Sequence, residues 1–339
     1  KGICTITMEK ALEYSSSYLL KMTAVFNIEA DSTFCQKTIF DYEHIDGEAH
    51  ALVAANINPY LIDAPDIVLI SRDKPICKVP EIVMGNKPVD GGFYLFDEKE
   101  KEIFLDKEPQ AERWFRKWLG SKEFINGYDR WCLWLGECPP DELRKMPETM
   151  KRVMAVQQFR LKSKKSATKK LANTPTRFEV EAIPSTMYMI IPETSSERRN
   201  YIPIGFVEPS TLGSNAVRLI QGATLFHFGV VTSLMHMAWV SHVCGRLESR
   251  YRYSNKIVYN NFPWPEDVKD KEREAIETAA QGVLDARAAF PGSSLADLYD
   301  PVAMPPELRR AHQALDRAVD AAYAAATDAP GKTKKNFAS

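Results

Sequence analysis

Six cysteines are spread over 339 residues without a single CxxC pair, which argues against the common zinc and thiol-redox frames. A chain this long has no need of disulfide staples, so a reducing cytoplasm is the expected setting. Charge of one sign is also missing. The 44 Lys and Arg face 45 Asp and Glu, a formal net charge of −1, so a site for a polyanion must come from uneven local distribution. Residues 85–92 (GNKPVDGG) are glycine-rich and include Lys87, but they lack the GK[ST] ending of phosphate-binding loops and read as a turn. The chain starts at Lys1 with no initiator Met, basic leader or small-residue cleavage site. The expectation is a fragment whose native start lies upstream.

One stretch, residues 225–244 (LFHFGVVTSLMHMAWVSHVC), has about the length a bilayer core requires. It contains His227, His236 and His242, and imidazoles are costly in hydrocarbon. A helix buried between protein layers is expected, with no membrane association. The histidine spacings of nine and six residues fit neither ligand pairs one helical turn apart nor a zinc finger, so core histidines and no metal are expected. No local Ser-His-Asp or Cys-His arrangement stands out, although a triad assembled from distant positions would leave no linear signature.

What is present is globular: 45% hydrophobic and 26% charged residues suit two or three packed domains. Residues 23–30 and 34–42 read as strands followed by a polar turn at 44–48; residues 66–71 (DIVLIS) and 92–96 (GFYLF) read as further strands. Asp97 with Glu100 has capping-box spacing and predicts a helix start. Ala111, Trp114, Phe115, Trp118 and Leu119 recur at helical spacing, which predicts an amphipathic helix with its tryptophans in the core. Residues 130–135 (RWCLWL) read as a buried strand, 149–172 as helix, and 177–183 with 186–191 as paired strands. An Ala-rich helix is expected over 267–289 and a second from Pro306, with a disordered tail over 328–339.

Three basic clusters carry candidate chemistry. Residues 151–177 hold nine Lys or Arg and no Asp or Glu. On one helix Lys162, Lys165 and Lys169 would share a face that displaces counterions from a phosphate backbone, with Arg160 and Lys164 beside them; a solvated face is the plainer reading. Glu197, Arg198, Arg199 and Asn200, within SSERRNY, bring together the residue types that read cytosine, guanine and adenine edges, or form a turn whose arginines pair with nearby carboxylates. Arg246, Arg250 and Arg252 alternate with Tyr251 and Tyr253, which suits phosphate contacts with ring stacking or a strand with a polar outer face. Asn58, Pro59 and Tyr60 superficially resemble the N-P-P-Y loop that holds a flipped adenine, but the second proline and a companion glycine-rich loop are missing.

Beyond these patterns, phrases follow in an order that covers nearly the whole chain. They include INPYLIDAPDIVLISRDKPI (57–76), GNKPVDGGFYLF (85–96), GSKEFINGYDRWCLWL (120–135), SSERRNYIPIGF (195–206), FGVVTSLMHMAWVSHVCGRLESRYRYSNKIVYNNFPWP (228–265) and LADLYDPVAMPPELRRAHQALDRAVDAAY (295–323). Together they resemble the C-terminal half of the MmeI-like class I DNA methyltransferases, some of which also carry an endonuclease domain. The resemblance implies enzymes that methylate adenine at N6, using S-adenosylmethionine in a domain upstream of a target recognition domain.

The fold expected is α+β: a mixed-sheet target recognition domain followed by a largely helical C-terminal region. Residues 1–55 would end a methyltransferase domain, 56–208 read the target, 209–265 connect, and 266–325 form a helical hairpin or bundle. The expected partners are double-stranded DNA and the upstream methyltransferase domain of the same polypeptide. With the donor-binding glycine motif and N-P-P-Y both missing, the fragment is expected to hold no cofactor and to be inactive alone, S-adenosylmethionine serving the parent enzyme. Arg160, Lys162, Lys164, Lys165, Lys169, Arg246, Arg250 and Arg252 would contact phosphates, and Glu197, Arg198, Arg199 and Asn200 would read bases. The alternatives are a protein-interaction module of a multi-subunit defence complex and, third, a hydrolase with a nonlocal triad.

Overall fold

The computed structural model describes residues 2–6, 24–28, 37–41, 48–58, 60 and 62–327. Strands β1 (Gly2–Ile6), β2 (Ala24–Ile28), β3 (Lys37–Asp41) and β4 (His50–Ala54) form an antiparallel meander in chain order. The two strands expected early in the chain are β2 and β3, while the turn at 44–47 and the tail at 328–339 lie outside the described residues. Residues 66–71, expected as a strand, run irregularly instead. Val68 and Ile70 are 70% and 59% exposed, so no sheet face receives them. The segment is tied down by Asn261 Nδ2, which donates to Ile70 O at 3.1 Å, and by the Arg72 N–H, which donates to Lys256 O at 3.1 Å.

The central part contains β5 (Ile82–Met84), β6 (Leu95–Phe96), α1 (Glu98–Lys107), β7 (Phe115–Leu119), α2 (Ser121–Asn126), β8 (Trp131–Leu133), α3 (Pro140–Leu143), α4 (Pro147–Leu161) and α5 (Ser166–Lys170). The expected capping box opens α1: the Glu100 N–H donates to Asp97 Oδ1 at 2.8 Å and the Asp97 N–H to Glu100 Oε2 at 3.0 Å. The amphipathic helix expected through Trp114 and Leu119 is absent. A 3-10 turn over Pro109–Trp114 stops at Phe115, where the backbone becomes extended and enters β7. Pairing with a neighbour on each edge overrides the helical spacing, and Phe115 and Trp118 still reach the core from the strand. The long helix expected over 149–172 breaks at residues 162–165, between α4 and α5.

Next come β9 (Tyr188–Pro192), β10 (Thr194–Ser195), β11 (Gly205–Val207), β12 (Thr211–Gly213) and β13 (Val217–Gln221). Of the strand pair expected over 177–191 only β9 forms; its intended partner supplies one bridge, Val180 to Lys87. Sheet order is β11-β9-β13-β5 in one sheet and β12-β7-β8-β6 in another, the latter mixed because β12 runs parallel to β7. Strand β9 is buried along its whole length. Met189 and Ile191 face the large C-terminal core and Tyr188 and Ile190 a smaller one, the period-two alternation of a strand covered on both sides. Gly85, just after β5, makes a close approach to the segment before β13 possible, since a Cβ there would lie 2.1 Å from Ser214 O.

The C-terminal part holds α6 (Leu225–Thr232), α7 (Leu234–Val243), β14 (Gly245–Leu247), β15 (Arg250–Arg252), α8 (Asp270–Ala288), α9 (Leu295–Leu298) and α10 (Pro306–Thr327). The apolar stretch expected as one buried helix is two, because Ser233 adopts an extended backbone and caps α7. Among the described residues no helix is long and apolar enough to cross a membrane. Ile276, Ala280 and Val283 of α8 meet Leu308, Leu315 and Val319 of α10 in one core with α6. The architecture is α+β with a largely helical C-terminal region.

Candidate nucleic-acid interface

Between β10 and the core lies a short polar turn. Strand β10 is held by β15, with Thr194 opposite Arg252 and Ser195 opposite Tyr251. The Arg198 N–H donates to Ser196 Oγ at 3.2 Å and the Arg199 N–H to Ser196 O at 3.3 Å. Tyr201, Ile202 and Ile204 then enter the C-terminal core. The turn is therefore fixed at both ends and exposes Arg198 and Asn200, with Glu197 and Arg199 half-buried. The side chains of Arg198 and Arg199 make no hydrogen bond or ion pair among the described residues, so carboxylates act on Arg199 only at longer range. Burial pulls the Arg199 guanidinium below the usual arginine range, against the opposing pull of Asp300 and Glu197. Glu197 Oε2 and Ser195 Oγ are buried without a hydrogen-bond partner.

The hairpin β14–β15 turns through Glu248 and Ser249, with Glu248 at φ 58°. Strand alternation puts Arg250 and Arg252 on one exposed face and Tyr251 on the other face, where Arg246 lies opposite it; Tyr251 and Tyr253 are buried at 8% and 1% exposure. Ring stacking on these tyrosines is thus unavailable to a ligand: Arg246 covers Tyr251 at 4.0 Å, and the Tyr253 hydroxyl meets His236 Nε2 at 2.9 Å inside the core. Arg250 pairs with Glu248 at 2.7 Å. Arg252 lies 3.4 Å from Glu193 Oε1, which also accepts from Arg218 at 2.9 Å.

Turn and hairpin border a cleft of about 730 Å³ whose remaining lining comes from α2 and its flanks and from the loops near residues 87–90 and 214–216. Five cations line it, Lys87, Lys122, Arg130, Arg199 and Arg250, against two carboxylates, Asp90 and Glu123. Cations thus outnumber carboxylates on the lining of a nearly neutral chain, although Lys87 and Arg250 also pair with Glu179 and Glu248 outside it. The sequence reading missed Lys122 and Arg130 and set Lys87 aside as part of a turn, because they are isolated cations that only the fold gathers.

One phosphate candidate is overturned. Arg160 is fully buried, and its guanidinium donates to five carbonyls, those of Pro88, Val89, Leu171, Thr174 and Arg177, at 2.7 to 3.0 Å. Every N–H it has is committed, so it organises loops and contacts no phosphate. Lys162, Lys164, Lys165 and Lys169 are exposed and outside the cleft lining. They do not share one helical face, since Lys162 ends α4 and Lys165 precedes α5.

The remaining candidates are structural. Asn58 Oδ1 accepts the N–H groups of Tyr60 and Ile62 at 2.9 and 3.3 Å, and the Tyr60 hydroxyl accepts the Leu69 N–H at 2.8 Å; Pro59 lies outside the described residues. His227 caps α6 with Thr224 while His236 sits in the core. Among the described residues no cluster of His, Cys, Asp or Glu is arranged to hold a metal ion.

The model of the MmeI target recognition domain family matches residues 63–266, and that of the MmeI C-terminal domain matches residues 268–336. DNA methyltransferase A of Bacillus subtilis (strain 168) is 40% identical over 271 residues, which is 80% of this chain and 31% of that protein. The solved structure of the Type IIL restriction-modification enzyme MmeI in complex with DNA is similar at a TM-score of 0.82 and 45% identity, covering 90% of this chain and 42% of MmeI. The chain spans less than half the length of either relative. It belongs to the MmeI target recognition domain family, with an MmeI C-terminal domain following in the same chain.

Proposed function

We propose that this chain is the sequence-reading portion of a restriction-modification DNA methyltransferase acting on adenine N6. The observation that carries the reading is Arg199, a half-buried guanidinium without hydrogen bond or ion pair, beside the cation-lined cleft. Asp300 and Glu197 offset part of the cost of its burial, but its N–H groups lack acceptors, which a base edge or phosphate would supply. Arg198 and Asn200 of the same turn are exposed, so the turn offers donor and acceptor together, as base-edge recognition requires. Arg198 and Asn200 belong to the same reading surface. Arg246, Arg250, Arg252 and the lysines at 162, 164, 165 and 169 would set register through phosphates.

The division of labour follows. Residues 56–265 read the target, the stretch 209–265 lying within the matched recognition domain and lining the cleft, and 266–325 brace the reader, while residues 1–55 end a methyltransferase domain lying upstream in the same polypeptide. S-adenosylmethionine belongs to that upstream domain. In this chain the side chains of Asn58 and Tyr60 hold a turn. A cytoplasmic location fits these roles. The test is fluorescence anisotropy of the purified full chain with labelled duplex over a range of KCl. Binding whose log affinity falls linearly with log salt supports the reading, and no binding at low salt, with a stable protein partner instead, replaces it with an interaction module.

A further inference from the structure

The cations of the cleft come from two parts of the fold. Arg199 and Arg250 belong to the polar turn and the hairpin, whereas Lys122 lies on α2 and Arg130 just before β8. Helix α2 is firmly seated. The Ser121 hydroxyl donates to Ala216 O, Glu123 Oε2 accepts the Gly120 N–H at 3.0 Å, and the chain leaves α2 through Gly127 at φ 70°. Arg130 leans on Glu123 at 3.5 Å, and Lys87 pairs with Glu179 at 2.5 Å. Lys122 differs from both. It is exposed, lines the cleft and makes no side-chain hydrogen bond or ion pair among the described residues.

Resting on the DNA reading above, we infer that Lys122 is a phosphate-contacting residue, so that a strand lying along Arg199 and Arg250 is also gripped from α2. Lysine suits this task because its ammonium is a point charge with three rotatable donors, fitted to a phosphate oxygen rather than to the planar edge of a base. Its backbone is fixed by α2 while its stem stays free, so contact needs no rearrangement of the fold. Asn126 and Asn215 line the same cleft and add neutral donors along the path. A phosphodiester in DNA and a free phosphate present the same oxygens, and the polymer is favoured because cations line the cleft from both the hairpin side and α2.

The experiment is anisotropy of the full chain with a mixed-sequence duplex across KCl concentrations, comparing wild type, Lys122→Ala, Lys122→Arg and, as control, Lys99→Ala on α1 outside the cleft lining. Lys122→Ala is expected to bind more weakly at low salt, with a slope of log affinity against log salt shallower by about one. Lys122→Arg should restore the wild-type slope and Lys99→Ala should leave it unchanged. An unchanged slope in Lys122→Ala, or an equal loss in Lys99→Ala, overturns the assignment. Sodium phosphate at constant ionic strength should not release the duplex; release from wild type but not from Lys122→Ala assigns the site to a free anion. If wild type itself shows no salt-dependent binding, the DNA reading fails first and the inference with it.

Discussion

Tyr201 donates its hydroxyl hydrogen to Asp316 Oδ2 at 2.7 Å across 115 residues of sequence. The second oxygen, Asp316 Oδ1, accepts the Leu234 N–H at 2.8 Å, and the Tyr201 ring stacks on His312 at 3.9 Å. The turn from Ser196 to Asn200 is thus anchored at its far end to α10, so the C-terminal helices position the turn that we propose reads the target. Burial and the Asp316 carboxylate push the Tyr201 hydroxyl well above the ordinary tyrosine range, which keeps it a donor. We expect Tyr201→Phe to cost about 1 to 3 kcal/mol, the effect of leaving a buried carboxylate oxygen unpaired, and to loosen base preference while sparing the salt dependence of binding. Denaturant unfolding measures the first effect and selection from randomised duplexes the second; undiminished preference would show that the anchor serves stability alone.

Arg160 and its lysine neighbours should separate cleanly. Arg160→Ala leaves five buried or partly buried carbonyls without their donor and is expected to destabilise the chain by several kcal/mol, on the order of 3 or more. A triple Ala variant at Lys162, Lys165 and Lys169 should unfold at nearly the wild-type denaturant midpoint, since all three side chains are exposed, while its salt slope becomes shallower. Equal midpoints for Arg160→Ala and wild type would contradict the structural role assigned to that guanidinium.

Acid sensitivity follows from His236. Burial lowers its pKa from 6.5 to about 3, a base whose folded value lies below its unfolded one. Between those limits the unfolded chain binds the additional proton, so this contribution to stability is lost as pH falls from about 6.5 towards about 3, at up to about 1.4 kcal/mol per pH unit. His227, lowered to about 4 by burial and Arg273, adds in the same direction. Asp316, raised by burial, acts oppositely, because the folded chain holds its proton to higher pH. Unfolding free energies from pH 7 to pH 4.5 should fall more gently in His236→Gln than in wild type. Parallel curves would mean that His236 protonates without opening the core.

Local chemistry in the chain was legible where neighbours alone decide it. The capping box at Asp97 and Glu100 forms as its spacing predicts, and the Ala-rich helix from residue 270 and the one from Pro306 form where expected. Prediction failed where distant pairing decides. Phe115 and Trp118 have helical spacing, yet β8 and β12 draw them into a strand, and Arg160 resembles its exposed neighbours until the loops at 88–89 and 171–177 close over it. The turn at Glu197 to Asn200 could be named from residue types. Its joining to Lys122 and Arg130 could not, because about seventy residues separate them and only the packing of α2 near the hairpin makes one cleft.

The most direct test is selection of duplexes from a randomised pool by the full chain, wild type against Arg199→Ala, with sequencing of what is retained. A bidentate arginine contact is worth about 1 to 3 kcal/mol against the wrong base pair. Wild type should enrich one motif, and Arg199→Ala should lose or change preference at a single position of that motif while binding the pool with the same salt slope. Identical motifs of equal stringency from both proteins, with Arg199→Ala folded, would contradict the assignment of Arg199 as a base reader.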